Sequence, residues 1–371
     1  MKTFFDFEKS SLCFNHPVSI ISCSSFQDVP RVFEQIEEAL KQDLHVAGFF
    51  SYELGYAFEE TFSSYRHNGF PLIQVGCYKE PQQYNDQSIT DGHSSKIENL
   101  RFNISKEKYF EHIEIIRSYL QAGDVYQITY CLKILFDFDG NAFDLYKKLF
   151  AVQPVPYAAY LETDQYSIAS LSPELFLYKK GSSILSKPMK GTWGRGKNFF
   201  SDIAARYKFY YDEKNRAENV MITDLLRNDL GRIGKNIHVP RLFEVTPYKK
   251  LFQMTSTVAA DIEPDVPLYD LFKSLFPSGS VTGAPKIRAM EIIHELEQES
   301  RNIYTGAIGY IKPDKDLFIN IPIRTALINK AGGKGEMGIG GGIVWDSTAE
   351  GEWAEGILKA RFFTDCRFCQ G

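Results

Sequence analysis

Seven large apolar side chains, Tyr126, Ile128, Tyr130, Leu132, Ile134, Phe136 and Phe138, occupy every second position of one unbroken run, with mostly polar or small residues between them. A period of two sustained over that length belongs to a β-strand, so the fold must contain a long sheet. A second sheet-rich block runs over residues 157–189 with a turn at Gly181-Ser-Ser183, and strand pattern returns at 307–311 and 317–328 among glycine clusters. Helical signals lie between these blocks. Ser105 is placed as an N-cap, Tyr109, Ile113, Ile116 and Leu120 follow at helical spacing, and Gly123 stands where that helix should stop. Further helices are expected over 216–231, from Pro285 to about 299, and over 352–363. No repeat is visible, and this mixed order argues for an α+β protein over a regular doubly wound sheet.

The 371 residues allow one or two cores, with the polar stretch 82–96 the best place for a hinge. We divide the chain into a less diagnostic part, 1–100, and a catalytic region, 101–371. A balance of 42 basic against 47 acidic residues leaves a formal charge of −5, which offers no footprint for a phosphate backbone, so no nucleic-acid partner is expected. Six cysteines in a chain this long read as reduced thiols, and the terminal Cys366-x-x-Cys369 lacks the second pair or histidine that a zinc site needs. Asp6, Glu8 and Lys9 interrupt the apolar start before it can act as a secretory leader. No run of about 18 apolar residues exists to span a membrane. These features predict a soluble, cytoplasmic protein.

Several positions suit chemistry, each with a plainer alternative. Gly191-Thr-Trp-Gly-Arg-Gly-Lys197-Asn198 fits a phosphate loop except that Asn198 replaces the Ser or Thr such loops use for magnesium; a solvated glycine turn explains it as well. Lys190 stands where a strand runs into that turn, either solvated or, if packed in an apolar pocket, able to become a neutral nucleophile. Glu218 near a helix start is either a first-turn acid meeting the helix dipole or a carboxylate turned toward a face that wants burial. On the last helix Glu352, Glu355 and Lys359 share a face: Glu355 and Lys359 suit a surface pair, while two carboxylates one turn apart can also share a hard divalent cation. Ser278-Gly-Ser-Val-Thr282-Gly283-Ala-Pro285 leads into a helix whose free N–H groups can hold an anion, and Gly338-Ile-Gly340-Gly341-Gly342 lets backbone amides approach a ligand.

Taken together, Ala122-Gly-Asp-Val-Tyr-Gln127, Ser172-Pro-Glu174, Pro188-Met-Lys-Gly-Thr192, Arg216-Ala-Glu-Asn219, Asp224-Leu-Leu-Arg-Asn-Asp-Leu230, Pro277-Ser-Gly-Ser-Val-Thr-Gly-Ala-Pro-Lys286, Tyr304-Thr-Gly306, Ile323-Arg-Thr325 and Gly340-Gly-Gly342 resemble the chorismate-utilising enzymes, in family order over residues 105–363. The resemblance implies two antiparallel-rich β-sheets packed together in one large domain and flanked by helices. Pro188-Met-Lys-Gly-Thr192 is similar to the lysine-bearing version of the aminodeoxychorismate synthase branch, in which chorismate is aminated on the way to para-aminobenzoate and folate. The implied roles are Lys190 as covalent nucleophile and Glu174 as general acid. Glu218, Glu352 and Glu355 are implied as ligands of a magnesium ion (Mg2+), and Tyr304, Arg324, Lys359, Thr282, Gly283 and the amides of Gly340, Gly341 and Gly342 as the substrate-binding set. Magnesium is expected to depress the lysine, and burial to raise the glutamate.

Two positions refine the branch. Isochorismate and salicylate synthases typically have a water-activating lysine where Gln127 stands, and many relatives have a histidine where this chain has Gln253, a side chain that takes no proton at neutral pH. No cysteine lies in a glycine-flanked elbow of the glutaminase kind, so the resemblance implies a separate glutamine amidotransferase subunit (component II) as ammonia source, and no fused lyase. Gln153-Pro-Val-Pro-Tyr157 departs from the element of tryptophan-regulated anthranilate synthases. The rival readings are anthranilate synthase component I and, from another class, a nucleotide-binding module on the Gly191 loop.

Overall fold

A computed structural model describes residues 1–8, 10–84, 95–248 and 251–365. The terminal cysteine pair and most of the expected hinge lie outside the described residues. Two ten-stranded antiparallel sheets form the centre of the molecule. In the first, Gln127–Asp139 pairs along its length with Lys334–Ile343, and the order continues through Thr325–Asn329, Tyr166–Ser172 and Tyr157–Glu162 to Lys2–Phe7. The second runs from Met189–Gly194 through Leu251–Ile262, Ser183–Lys187, Leu175–Lys180, Leu317–Asn320 and Ala307–Ile311 to His45–Phe50 and Ile73–Tyr78.

The strand Lys2–Phe7 shows how the alternation builds layers. Phe5 and Phe7 point into the gap between the sheets, where their ring centroids lie 5.5 and 6.1 Å from that of Tyr310 on the opposing sheet. Phe4, on the other face, stacks at 4.6 Å on Phe143 of the helix Ala142–Val152. Three cores result. One lies between the sheets, one beneath the helices Lys106–Ala122, Ala142–Val152, Lys286–Leu296 and Ala349–Thr364, and one beneath Val29–Lys41, Glu213–Gly231 and Leu268–Leu275. The order is therefore helix, sheet, sheet, helix, the architecture expected from the family resemblance. Residues 1–100 supply strands to both sheets.

The long strand lies where the alternation placed it, at Gln127–Asp139, but its first eight residues are buried on both faces. Helices cover one side, and on the other the buried Arg301–Glu297 pair bonds Thr129 and Cys131, so the polar members of the pattern are interior groups. Ser105 caps Lys106–Ala122 by accepting from Lys108 N–H, and Gly123 ends it at φ 77°. Pro285 precedes the helix Lys286–Leu296 in extended conformation instead of opening its first turn. The span read as one strand over 317–328 is two, because residues 321–324 cross from the second sheet to the first.

Arg301 locks this region. Its guanidinium donates to both carboxylate oxygens of Glu297 at 2.6 and 2.7 Å, to Thr129 O at 2.6 Å and to Val281 O at 2.9 Å, and it lies 4.5 Å from the centre of the Tyr52 ring. Both members of the ion pair are almost wholly buried. Removing one partner of such a pair leaves an uncompensated charge inside, so Arg301→Leu is expected to lose about 3–5 kcal/mol, measured by denaturant unfolding. No helix among the described residues is long and apolar enough to cross a membrane.

Candidate active site

Two of the chain's crossings between the sheets meet at one place. Ser172-Pro-Glu174 leads from the first sheet to the second, residues 321–324 lead back, and the crossings hold each other. Leu171 N–H donates to Arg324 O, Ile321 N–H to Glu174 O, both at 3.1 Å, and Ser172 Oγ to Ile321 O at 2.5 Å. Glu174 is thereby fixed at the seam with 3% of its surface exposed. Its Oε1 accepts from Ser280 Oγ at 2.7 Å and from Met189 N–H at 3.4 Å. Burial pushes its pKa up, against the lowering effects of the Ser280 hydroxyl and the Lys190 charge.

Lys190 is not at a strand end, as its sequence context predicted. It lies inside Met189–Gly194, where Lys190 and Gly191 oppose the single residue Met254 in a β-bulge between the Met189–Thr255 and Thr192–Gln253 pairs. A bulge re-aims a side chain, and Gly191 permits this one at φ 87°. The residue keeps a partly accessible surface, while burial of its ammonium lowers its pKa and the Glu174 and Glu218 carboxylates oppose that shift. Among the protein groups, burial is the leading cause of this depression.

The glycine strand opens the site. Thr325–Asn329 pairs with Lys334–Ile343 only as far as Met337, leaving one edge of residues 338–343 without a strand partner. The bare Cα atoms let both faces approach. A Cβ on Gly342 would stand 3.2 Å from Lys190 Nζ and 2.9 Å from Gln127 Nε2, and one on Gly341 would stand 2.9 Å from Glu352 Oε2. Gly338 takes the flat of the Tyr304 ring, and Gly340 O accepts from Lys359 Nζ at 2.9 Å. Arg324 sits where the strands part, in the left-handed region at φ 54°. Its guanidinium makes no hydrogen bond or ion pair to a described residue, and burial pulls its pKa down although the Tyr248 and Tyr304 phenols oppose the shift. A buried, uncompensated cation is a ready partner for an anion.

Glu218 stands in the second turn of Glu213–Gly231, past the first-turn position that a dipole-stabilised acid would take. Burial raises the pKa of Glu218 and of Glu352; the latter accepts from Ser347 Oγ at 2.6 Å. Glu355 is lowered by Lys359, its partner at 2.7 Å, so the surface pair read from the sequence is present. Carboxylate oxygens suit a hard cation, and two partly buried acids held above their usual range gain from one. As the side chains stand, however, no three His, Cys, Asp or Glu among the described residues are grouped closely enough to hold an ion.

Thr282 and Gly283 are buried and committed to neighbours. Thr282 Oγ1 donates to Ser278 O at 2.8 Å, Thr282 O accepts from Thr129 N–H at 2.7 Å, and a Cβ on Gly283 would strike Gln127 O at 2.3 Å. They anchor the segment on the long strand. The phosphate-loop reading fails on geometry. The Asp202 carboxylate takes Gly196 N–H at 2.8 Å and the Arg195 guanidinium at 2.6 and 2.7 Å, putting a negative group where a phosphate would need positive ones.

Two features escaped sequence reasoning. Ser280, 106 residues from Glu174 in the chain, touches it; the Ser278–Gly283 motif pointed only to an anion cradle. Gln127, beside Lys190, is completely buried with neither amide atom hydrogen-bonded among the described residues, and Gln253 is likewise unpartnered. Such orphaned groups are uncommon in a folded interior.

The seam of this two-sheet α+β scaffold brings the Lys190 amine and the Glu174 carboxyl within electrostatic reach of each other, with Arg324 on the crossing that leads back between the sheets. A family model described as chorismate binding enzyme matches residues 16–365. The chain is 40% identical over 303 residues to the probable aminodeoxychorismate synthase, chloroplastic, of Oryza sativa subsp. japonica, covering 78% of this chain and 34% of that protein. It is 38% identical over 258 residues to aminodeoxychorismate synthase component 1 of Bacillus subtilis (strain 168), covering 69% and 54%. It thus spans only a third to about half of these two relatives. The crystal structure of anthranilate synthase component I from Streptococcus pneumoniae TIGR4 superposes with a TM-score of 0.81 over 97% of this chain and 92% of that one, at 24% identity. The chain belongs to the chorismate binding enzyme family.

Proposed function

We propose that this protein is an aminodeoxychorismate synthase component I, aminating chorismate with ammonia supplied by a glutamine amidotransferase partner. The observation that carries the reading is the opposed tuning of Lys190 and Glu174 at one seam: burial favours the neutral amine and the protonated acid together. The named relatives support the branch. Arg324, Lys359 and Tyr304 receive the carboxylates of the substrate, and the free edge of Gly340, Gly341 and Gly342 accommodates its ring. Glu218, Glu352 and Glu355 would hold a magnesium ion once their side chains gather round it, and the ion would supply positive charge for a substrate carboxylate.

In the proposed reaction the Lys190 Nζ lone pair bonds to ring C2, and the two ring double bonds each shift by one place. The C4–O bond breaks with its electron pair on oxygen. That oxygen takes the Glu174 proton and departs as water. Ammonia then bonds to C4, the double bonds shift back, the lysine leaves with the C2–N electron pair as a neutral amine, and one proton of the new C4 ammonium returns to the Glu174 carboxylate. The sum is chorismate plus ammonia giving 4-amino-4-deoxychorismate and water. Gln253 cannot take a proton, so it does not serve as the base for ammonia.

The test incubates the purified protein with chorismate, ammonium and magnesium, with and without added aminodeoxychorismate lyase. We expect para-aminobenzoate only when lyase is present. Anthranilate fluorescence as the main signal would instead identify the rival activity, which the likeness to anthranilate synthase keeps in view.

A further inference from the structure

The hydroxyl of Ser280 meets Glu174 on one oxygen only. Oε1 accepts from Ser280 Oγ at 2.7 Å and from Met189 N–H at 3.4 Å, whereas no hydrogen bond from a described residue reaches Oε2. Ser278 Oγ stands 3.0 Å from Ser280 Oγ, and all three side chains are buried to within 3% of their surface. Each serine hydroxyl has one proton to donate. If Ser280 gives its proton to Glu174, Ser278 donates to Ser280, both serine protons are used, and the acid's own proton stays on Oε2, where no described residue takes it. In the reverse order Glu174 O–H would donate to Ser280 and Ser280 to Ser278. That order leaves the Ser278 proton without an acceptor among the described residues and turns the Met189 N–H toward an O–H group.

We propose that Ser280 is a positioning residue: by donating to Oε1 it makes that atom the carbonyl oxygen of the Glu174 acid and assigns the transferable proton to Oε2. The inference rests on the reading of Glu174 as general acid. A carboxylic acid has one proton and two oxygens, and general acid catalysis needs that proton on the oxygen facing the leaving group. Two donors on Oε1 impose the choice before substrate arrives, so no rotation of the acid is required when the C4–O bond breaks and the Oε2 proton moves to the departing hydroxyl.

The test pairs a spectroscopic measurement that needs no substrate with kinetics. Infrared difference spectra of the wild-type protein against Glu174→Gln, at mildly acidic pH, isolate the C=O stretch of protonated Glu174. A donor on the carbonyl oxygen lowers that frequency. Ser280→Ala is therefore expected to move the band to higher wavenumber and to lower kcat about tenfold or more with KM for chorismate changed less than about threefold, the loss of one buried hydrogen bond in the transition state. Ser280→Thr, which keeps the hydroxyl, should restore both. An unmoved band, a shift to lower wavenumber, or a wild-type kcat in Ser280→Ala would overturn the proposal. Thermal unfolding of each variant checks that the fold persists, and if Ser280→Ala unfolds, the Ser280→Cys band, with its weaker donor, must still lie above the wild-type one. A wild-type protein that leaves chorismate untouched would instead defeat the functional reading, and the infrared arm would still decide the proton's place.

Discussion

Lys190→Ala is expected to abolish formation of aminodeoxychorismate, lowering kcat by roughly four orders of magnitude or more, as loss of a covalent nucleophile does. Ammonia alone would then have to displace the C4 hydroxyl without the intermediate that divides the reaction into two easier steps. Folding should survive. Burial lowers the Lys190 pKa below the ordinary lysine value, so the folded chain binds that proton less readily than the unfolded one. Stability from this group therefore rises with pH between its lowered folded value and its ordinary one, and Lys190→Ala removes that slope. The checks are turnover with saturating ammonium, thermal unfolding across pH, and mass spectrometry of wild-type protein given chorismate without ammonia. The last should show an adduct of chorismate less water that is absent from the variant. Unchanged turnover in Lys190→Ala would end the covalent mechanism.

Glu174→Gln should lower kcat by about 10²–10⁴, the usual contribution of a positioned general acid. The amide has the shape of the acid and can still accept from Ser280, so packing at the seam is preserved while the transferable proton is lost. KM for chorismate should stay within a few-fold, because Arg324, Tyr304 and Lys359 are untouched. Steady-state kinetics measured beside Lys190→Ala decide the point, and normal turnover in the glutamine variant would remove Glu174 from the reaction. In the double variant the two losses should not add, since the amine and the acid serve the same bond-breaking step.

Much of this molecule was legible in its residues. The alternation from Tyr126 to Phe138 located the longest central strand, and Ser105 and Gly123 marked a helix to within one position at each end. These are local signals: a pleat, a cap and a left-handed glycine are set by neighbours in the chain. The glycine run, the paired helix glutamates and Lys190 were recognisable as unusual residue types in suggestive order. Their meaning was not. The surface-pair reading of Glu355 and Lys359 was correct for that pair, yet the same helix also turns Glu352 toward the glycine strand.

Residues 321–324 failed as a strand because they form the return crossing between sheets, a fact that depends on strands far away in sequence. Lys190 was placed at a strand end because a bulge is invisible without its partner, Met254. Ser280 and Glu174 are 106 positions apart, and nothing in either segment announces the contact.

By itself the sequence determined several of the strands and helices, which residues have reactive side chains and which family motifs they compose, because each of these follows from local periodicity and residue chemistry. Only the tertiary structure decided that Lys190 and Glu174 are buried at one seam and that Arg324 has no described counter-ion. Burial is a property of what surrounds a group, and desolvation, which no stretch of chain encodes alone, is what shifts an ordinary lysine and glutamate toward their reactive forms.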